Sequence, residues 1–144
     1  MALIVDTSAI VAMYDRDAAR RRAVELVYRL VDGPLVIPVA MLAEVEYMLR
    51  SRLGAAASLN FLELLSNGTF DLEPLLPEDI ERCRELMTKY DTLNLGLADS
   101  AVMATAERLH VQTILTLDER HFRIVRPRVF THFVIYPADY PNGN

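Results

Sequence analysis

Four carboxylates in this 144-residue chain stand where the local pattern could put them to chemical use: Asp6, Glu44, Asp99 and Asp118. Asp6 follows the apolar run Leu3-Ile4-Val5 and precedes Thr7 and Ser8. It therefore marks the end of a short strand buried on both faces. Asp118 closes the β-branched run Thr113-Ile114-Leu115-Thr116-Leu117 in the same way, with Thr116 two residues back and on its face of the strand. Asp99 falls in the first turn of a helix whose inner face is nearly all alanine. Glu44 has Ala40, Met41, Tyr47 and Met48 at helical spacing and no basic residue there, whereas Glu46 has Arg50 one turn on and reads as a surface pair. Each acid also has a local explanation. Asp6, Thr7 or Ser8 can cap the following helix, Asp99 can complement a helix dipole, and Glu44 can reach water.

Taken together the acids say more. Ligands of open α/β sheets bind beyond the carboxyl ends of the strands, where two strand-end acids and two from the starts of following helices would meet. Carboxylates gathered in one cleft repel one another and cannot all ionise unless positive charge lies between them. A hard divalent cation resolves the conflict. Mg²⁺ or Mn²⁺ suits an all-oxygen set better than zinc, since no histidine or cysteine lies at ligand spacing to the acids in sequence. Such ions bind phosphodiesters and activate water for in-line attack. Thr7, Ser8 and Thr116 are the candidate supporting residues.

The elements that must position these residues alternate along the chain. Helical spacing covers Thr7 to Tyr14 and Arg16 to Val31, and Gly33-Pro34 ends the second helix. Leu35-Val36-Ile37 is a second buried strand, with Pro38 turning the chain into a helix from about Val39 to Leu53, closed by Gly54. A helix over Ala55 to Ser66 and an edge strand over Phe70 to Leu72 follow. The helix opened by Pro77 runs to about Tyr90 with Ile80, Cys83 and Met87 as its core row, and Phe133 to Tyr136 forms a last strand. This alternation predicts an α/β fold, a mostly parallel sheet covered on both faces.

Length fits one domain over residues 1–144, with a tail from Pro137 expected to be loosely held. A single cysteine, Cys83, excludes an internal disulfide and argues against a Cys-rich zinc site. No basic leader precedes the first apolar residues and no apolar run approaches the ~18 residues of a membrane helix, so the expectation is a soluble, cytoplasmic protein without a membrane partner. The net charge of −5 does not attract a polyanion, yet 14 of the 15 basic residues are arginine, which suits phosphate, an acidic partner or simply genomic composition.

The segments Ile4-Val5-Asp6-Thr7-Ser8-Ala9, Ala43-Glu44-Val45, Gly96-Leu97-Ala98-Asp99-Ser100-Ala101 and Ile114-Leu115-Thr116-Leu117-Asp118-Glu119-Arg120-His121-Phe122 together resemble the PIN-domain ribonucleases. Within these, the chain is similar to the VapC toxins of toxin–antitoxin pairs. The segments run in the family's order over essentially the whole chain. Ser100 stands where many relatives have alanine. The resemblance implies a three-layer α/β/α PIN-like fold with strand order 3-2-1-4-5 and a catalytic Mg²⁺ or Mn²⁺ site at Asp6, Glu44, Asp99 and Asp118, favouring Glu44 over Glu46. It further implies endonucleolytic cleavage of cellular RNA, transfer or ribosomal, leaving 3′-hydroxyl and 5′-phosphate ends. On charge alone, Arg120 is the arginine expected to steer the RNA substrate. A VapB-type antitoxin and a homodimer are the implied partners, their groove expected on the helices carrying Tyr47, Met48, Phe61 and Leu65. A haloacid-dehalogenase-type phosphatase would want a second Asp at Ser8, and a receiver domain a strand-end lysine, whereas Lys89 lies on a helix. The remaining rival is a non-catalytic PIN-fold module for RNA binding or protein interaction.

Overall fold

The computed structural model describes residues 1–141. Five strands form one parallel sheet in the order β3-β2-β1-β4-β5. They are β1 Leu3–Val5, β2 Leu35–Pro38, β3 Asp71–Glu73, β4 Thr113–Leu115 and β5 Val134–Tyr136. Helices α1 Thr7–Met13, α2 Ala18–Leu30, α3 Leu42–Leu53, α4 Ala55–Ser66, α5 Pro77–Lys89, α6 Leu97–Leu109 and α7 Arg120–Ile124 complete an α/β/α three-layer architecture. The expected strand order is thus observed, and every strand pairing is parallel. Among the described residues no helix is long and apolar enough to cross a membrane.

The central strand explains the arrangement. Leu3, Ile4 and Val5 are wholly buried, as a strand between two neighbours and two helical layers must be. Burying each such side chain contributes roughly 1.5–3 kcal/mol. From β1 the chain steps to β2 and β3 on one side, then crosses to β4 on the other, so the connections diverge between β1 and β4. The sheet's ligand-binding crevice belongs at that switch point.

Helix α6 packs on the strands beside it and brings Asp99 to its edge. Residues Ser100 to Glu107 are all buried, because α6 packs against α5 while also covering β1 and β2. The small inner residues Ala101 and Ala104 meet Cys83 of α5. Two ion pairs fasten the two helices. Arg82 holds Glu107 with Nη2 2.9 Å from Oε1 and Nε 2.9 Å from Oε2, and Arg108 Nε lies 3.0 Å from Oδ1 of the buried Asp79. Asp79 also accepts from the Leu76 backbone N–H, fixing the start of α5. Breaking one side of a buried pair generally costs about 3–5 kcal/mol, since the other charge is left uncompensated.

Several sequence expectations need correction. Pro38 does not end the second strand but closes it, pairing with Glu73 of β3; Val39–Met41 then forms a single 3₁₀ turn before α3 begins at Leu42. A proline fits there because β2 is finishing and its lost N–H interrupts nothing further inward. In α5 the buried row is Asp79, Cys83 and Leu86, while Ile80 and Met87 face solvent. The charged Asp79 is inside because Arg108 reaches it. Phe61 is wholly buried, tilted against Phe70 at 6.3 Å between ring centroids, and offers nothing to a surface groove. Of the tail from Pro137, Asp139 is held by Arg123 and by the Ile135 N–H, and Tyr140 packs edge-on against Tyr136; residues 142–144 lie outside the described residues.

Candidate active site

Asp6 stands at the N-cap of α1, where the backbone turns from β1 into the helix, but its carboxylate makes no capping bond. Its main-chain oxygen starts the helix instead, accepting from the Ala9 N–H. The side chain is turned toward β4. Because Val5 pairs with Leu115, the residues leaving the two strands side by side are Asp6 and Thr116, and Thr116 Oγ1 donates to Asp6 Oδ2 at 2.8 Å. Local capping therefore does not account for this acid.

Thr116 is itself fixed from two sides. Its oxygen accepts the Asp118 N–H at 3.0 Å and lies 2.9 Å from Ser8 Oγ, which accepts the Leu117 N–H at 2.9 Å. Ser8 and Thr116 thus clamp the loop after β4 onto the end of β1, as hydroxyls with both donor and acceptor capacity can. Asp118 does not repeat the position of Asp6. It lies exposed three residues beyond β4, just past the bend at Leu117, since the strand ends at Leu115 and Thr116 takes the place opposite Asp6.

Asp6, Thr7, Ser8, Glu44, Met48, Asp99 and Asp118 line one hollow of about 210 Å³. The four acids singled out in the sequence therefore face the same space, Glu44 from the first turn of α3 and Asp99 from the first turn of α6. Glu46 points elsewhere, bonded to Arg50 at 2.9 Å and to Ser58 at 3.1 Å. Ser100 does not line the hollow: its side chain is wholly buried and its hydroxyl bonds back to the Gly96 carbonyl at 2.8 Å. Arg120 is exposed at the first residue of α7 and does not line the hollow.

The electrostatics single out Asp6, which is only 3 % exposed. Burial pushes its pKa up to about 6, the Thr116 hydrogen bond and the nearby Thr7 backbone N–H oppose the rise, and the charges of Asp99 and Asp118 add to it. Oδ1 of Asp6 is buried with no hydrogen-bond partner among the described residues, as is the neighbouring Thr7 Oγ1. Buried oxygens are normally partnered, and a carboxylate oxygen left bare carries a marked cost. Among the described residues, however, no three acidic, histidine or cysteine side chains already stand as a set able to hold one metal ion.

One residue escaped the sequence reading. His121 Nδ1 lies 3.1 Å from Asp99 Oδ2, the imidazole half-buried on α7. A histidine absent from the acids' surroundings along the chain is thus brought to them by the fold. The two residues lie 22 positions apart and meet only because the loop after β4 folds α7 over the start of α6, so spacing along the chain gave no sign of it.

Known proteins with the same features then bear on the chain. A profile of the PIN domain matches residues 3–127. The chain is 34% identical over 135 residues to Ribonuclease VapC26 of Mycobacterium tuberculosis, covering 94% of this chain and all of that protein. Its fold is similar to the crystal structure of Mycobacterium tuberculosis VapC20, described as a sarcin-ricin loop cleaving toxin, with a TM-score of 0.74 at 18% identity over 81% of this chain and 89% of that one. It is also similar to VapBC2 from Rickettsia felis bound to a promoter DNA fragment, with a TM-score of 0.66 at 14% identity over 94% of this chain and 97% of that one.

The elevated pKa of Asp6 makes a stability prediction. A folded-state value of about 6 against an ordinary 3.8 means that the fold favours the protonated acid. The stability this gives is full below about pH 4 and is lost as pH rises through 6, a swing of at most about 3 kcal/mol. With EDTA present, Asp6→Asn should melt close to the wild type near pH 4 and higher by on the order of 5 °C above pH 7. Thermal melts that run parallel at every pH would contradict this account of Asp6.

Proposed function

The chain belongs to the PIN-domain family, among its VapC-type toxins, and on that premise we propose that it is a divalent-metal-dependent endoribonuclease, the toxin of a toxin–antitoxin pair. The observation that carries the reading is Asp6, a carboxylate with one bare oxygen at the switch point of a parallel sheet, its pKa raised by burial and further by two neighbouring acids. Such an oxygen fits a cation better than it fits water-excluded protein. The donors facing the hollow are carboxylates and hydroxyls, the set that Mg²⁺ or Mn²⁺ prefers. Asp6, Glu44, Asp99 and Asp118 would hold the ion.

When bound there, a divalent cation supplies neutralisation of the phosphodiester and lowers the pKa of water for attack. The chain's own residues do the positioning. Thr116 occupies Asp6 Oδ2 and so leaves Oδ1 as the oxygen still able to take a ligand; the Asp118 N–H and Ser8, itself held by the Leu117 N–H, keep Thr116 from rotating. His121 restrains the Asp99 carboxylate. Glu44 and Asp118, at the exposed rim, are the acids free to move inward. Arg120, exposed beside them in sequence, is proposed to steer RNA by charge. Similarity to Ribonuclease VapC26 supports RNA as the substrate.

Similarity to VapC26 and to VapBC2 also supports a VapB-type antitoxin as partner. With Phe61 buried, the apolar residues free to meet it, or a second copy of the chain, are Tyr47 of α3 and Leu59 and Leu62 of α4, each well exposed.

Two measurements test this reading. Cleavage of total cellular RNA should require Mg²⁺ or Mn²⁺, fall at least about 100-fold in Asp99→Asn or Glu44→Gln, and stay near wild type in Glu46→Gln, which touches only the contacts to Arg50 and Ser58, away from the hollow. Cleavage undiminished by EDTA, or equal losses in the two glutamate variants, would sink the mechanism. Separately, co-expression with the product of a neighbouring short reading frame should restore growth and yield a stable complex of reduced nuclease activity. If that product neither co-purifies nor relieves toxicity, the toxin assignment fails while the nuclease assignment can stand.

A further inference from the structure

A nuclease with an acidic hollow in a chain of net charge −5 must gain its hold on a polyanion somewhere else. Outside the hollow, a groove of about 590 Å³ opens between α5 and the segment after α7. Its wall carries Arg82, Arg84, Lys89, Arg126 and Arg128 against one acid, Glu85. Three of these cations are engaged: Arg82 with the buried Glu107, Arg84 with Glu81 at 2.7 Å, and Arg128 with Glu85. Lys89 and Arg126 are exposed and have no carboxylate within ion-pair distance among the described residues.

Tyr90 fixes both ends of this free charge. Its hydroxyl accepts the Arg126 backbone N–H at 2.9 Å, and Lys89 Nζ lies 5.4 Å from its ring centroid. With its ring packed on the core and overlain by Lys89, Tyr90 is an anchor for the cations and no platform for a base. The groove therefore suits phosphate, which guanidinium and ammonium groups bind without reading sequence. It also lies within reach of the hollow. His121, bonded to Asp99, is five residues from Arg126, which puts the two within about 18 Å even for an extended chain. That is the length of about five stacked nucleotides.

We propose that the groove between α5 and residues 126–128 binds the phosphate backbone of the RNA on one flank of the cleavage point, within about five nucleotides of the acidic hollow and independently of base sequence. This rests on the ribonuclease reading above. The groove raises the local concentration of long substrates and leaves the chemistry to the hollow.

The test is the double variant Lys89→Gln/Arg126→Gln, with Arg22→Gln/Arg29→Gln on the exposed face of α2 as a control for net charge. Affinity for a fluorescein-labelled, 2′-O-methylated single-stranded RNA of about 12 nucleotides is read by anisotropy over a salt series. The groove variant should bind roughly tenfold more weakly at low salt, with the slope of log K against log salt shallower by about 1.4, as two lost phosphate contacts require. The control should bind as the wild type does. In Mg²⁺ the groove variant should show a raised KM on long RNA with kcat unchanged, and unaltered cleavage of a tetranucleotide. Unchanged affinity and slope, or equal losses in the control, would overturn the proposal, as would retained RNA affinity with lost binding of polyglutamate. If the wild type cuts no RNA yet the groove variant alone loses RNA binding, the ribonuclease reading fails and the phosphate groove stands.

Discussion

A carboxylate taken out of water at the end of the central strand is the constraint on which the rest of the molecule turns. Asp6 lies between β1 and β4 with one oxygen held by Thr116 and the other bare. Burial alone makes its ionised form costly, and Asp99 and Asp118 make it costlier. A protein free to place any residue there would gain stability from an apolar one. The acid is tolerated because the strand pairing, the Ser8–Thr116 clamp and the adjoining helices leave its side chain no other place to go. An opposing charge that binds the folded form alone would recover the lost stability through linkage.

The surrounding scaffold is built for rigidity at this point. Eight consecutive buried residues in α6, small ones facing α5 and two ion pairs fastening the helices, fix the start of α6 and with it Asp99. From the opposite side α7 brings His121 to the same carboxylate. Glu44 and Asp118 are less confined, being exposed at the rim. The hollow thus combines two restrained acids with two less confined ones, an arrangement suited to closing on a ligand.

Much of this was legible in the sequence. Three consecutive apolar residues before Asp6 and a β-branched run before Thr116 marked the central strands, because a strand covered on both faces has no polar alternation to offer. The four acids were separable from their neighbours by local context: Glu44 from Glu46 by the absence of a helical basic partner. What could not be read was tertiary. The register that sets Thr116, and not Asp118, beside Asp6 depends on strand pairing. The burial of Asp79 depends on an arginine 29 residues away, and the contact of His121 with Asp99 depends on where α7 folds. Phe61 looked available for a surface groove because helical spacing gives a face but not which neighbour covers it.

The central claim is that Asp6 and its companions form a cation site whose filling removes a proton from Asp6. Calorimetric titration with Mn²⁺ at pH 6, repeated in two buffers of different ionisation enthalpy, reads that proton directly. With Asp6 at about 6, the wild type should bind Mn²⁺ and release about half a proton per ion, falling toward zero at pH 7.5, while Asp6→Asn should bind weakly and release none. Equal Mn²⁺ binding by the two proteins, or binding by the wild type without proton release at pH 6, would contradict it.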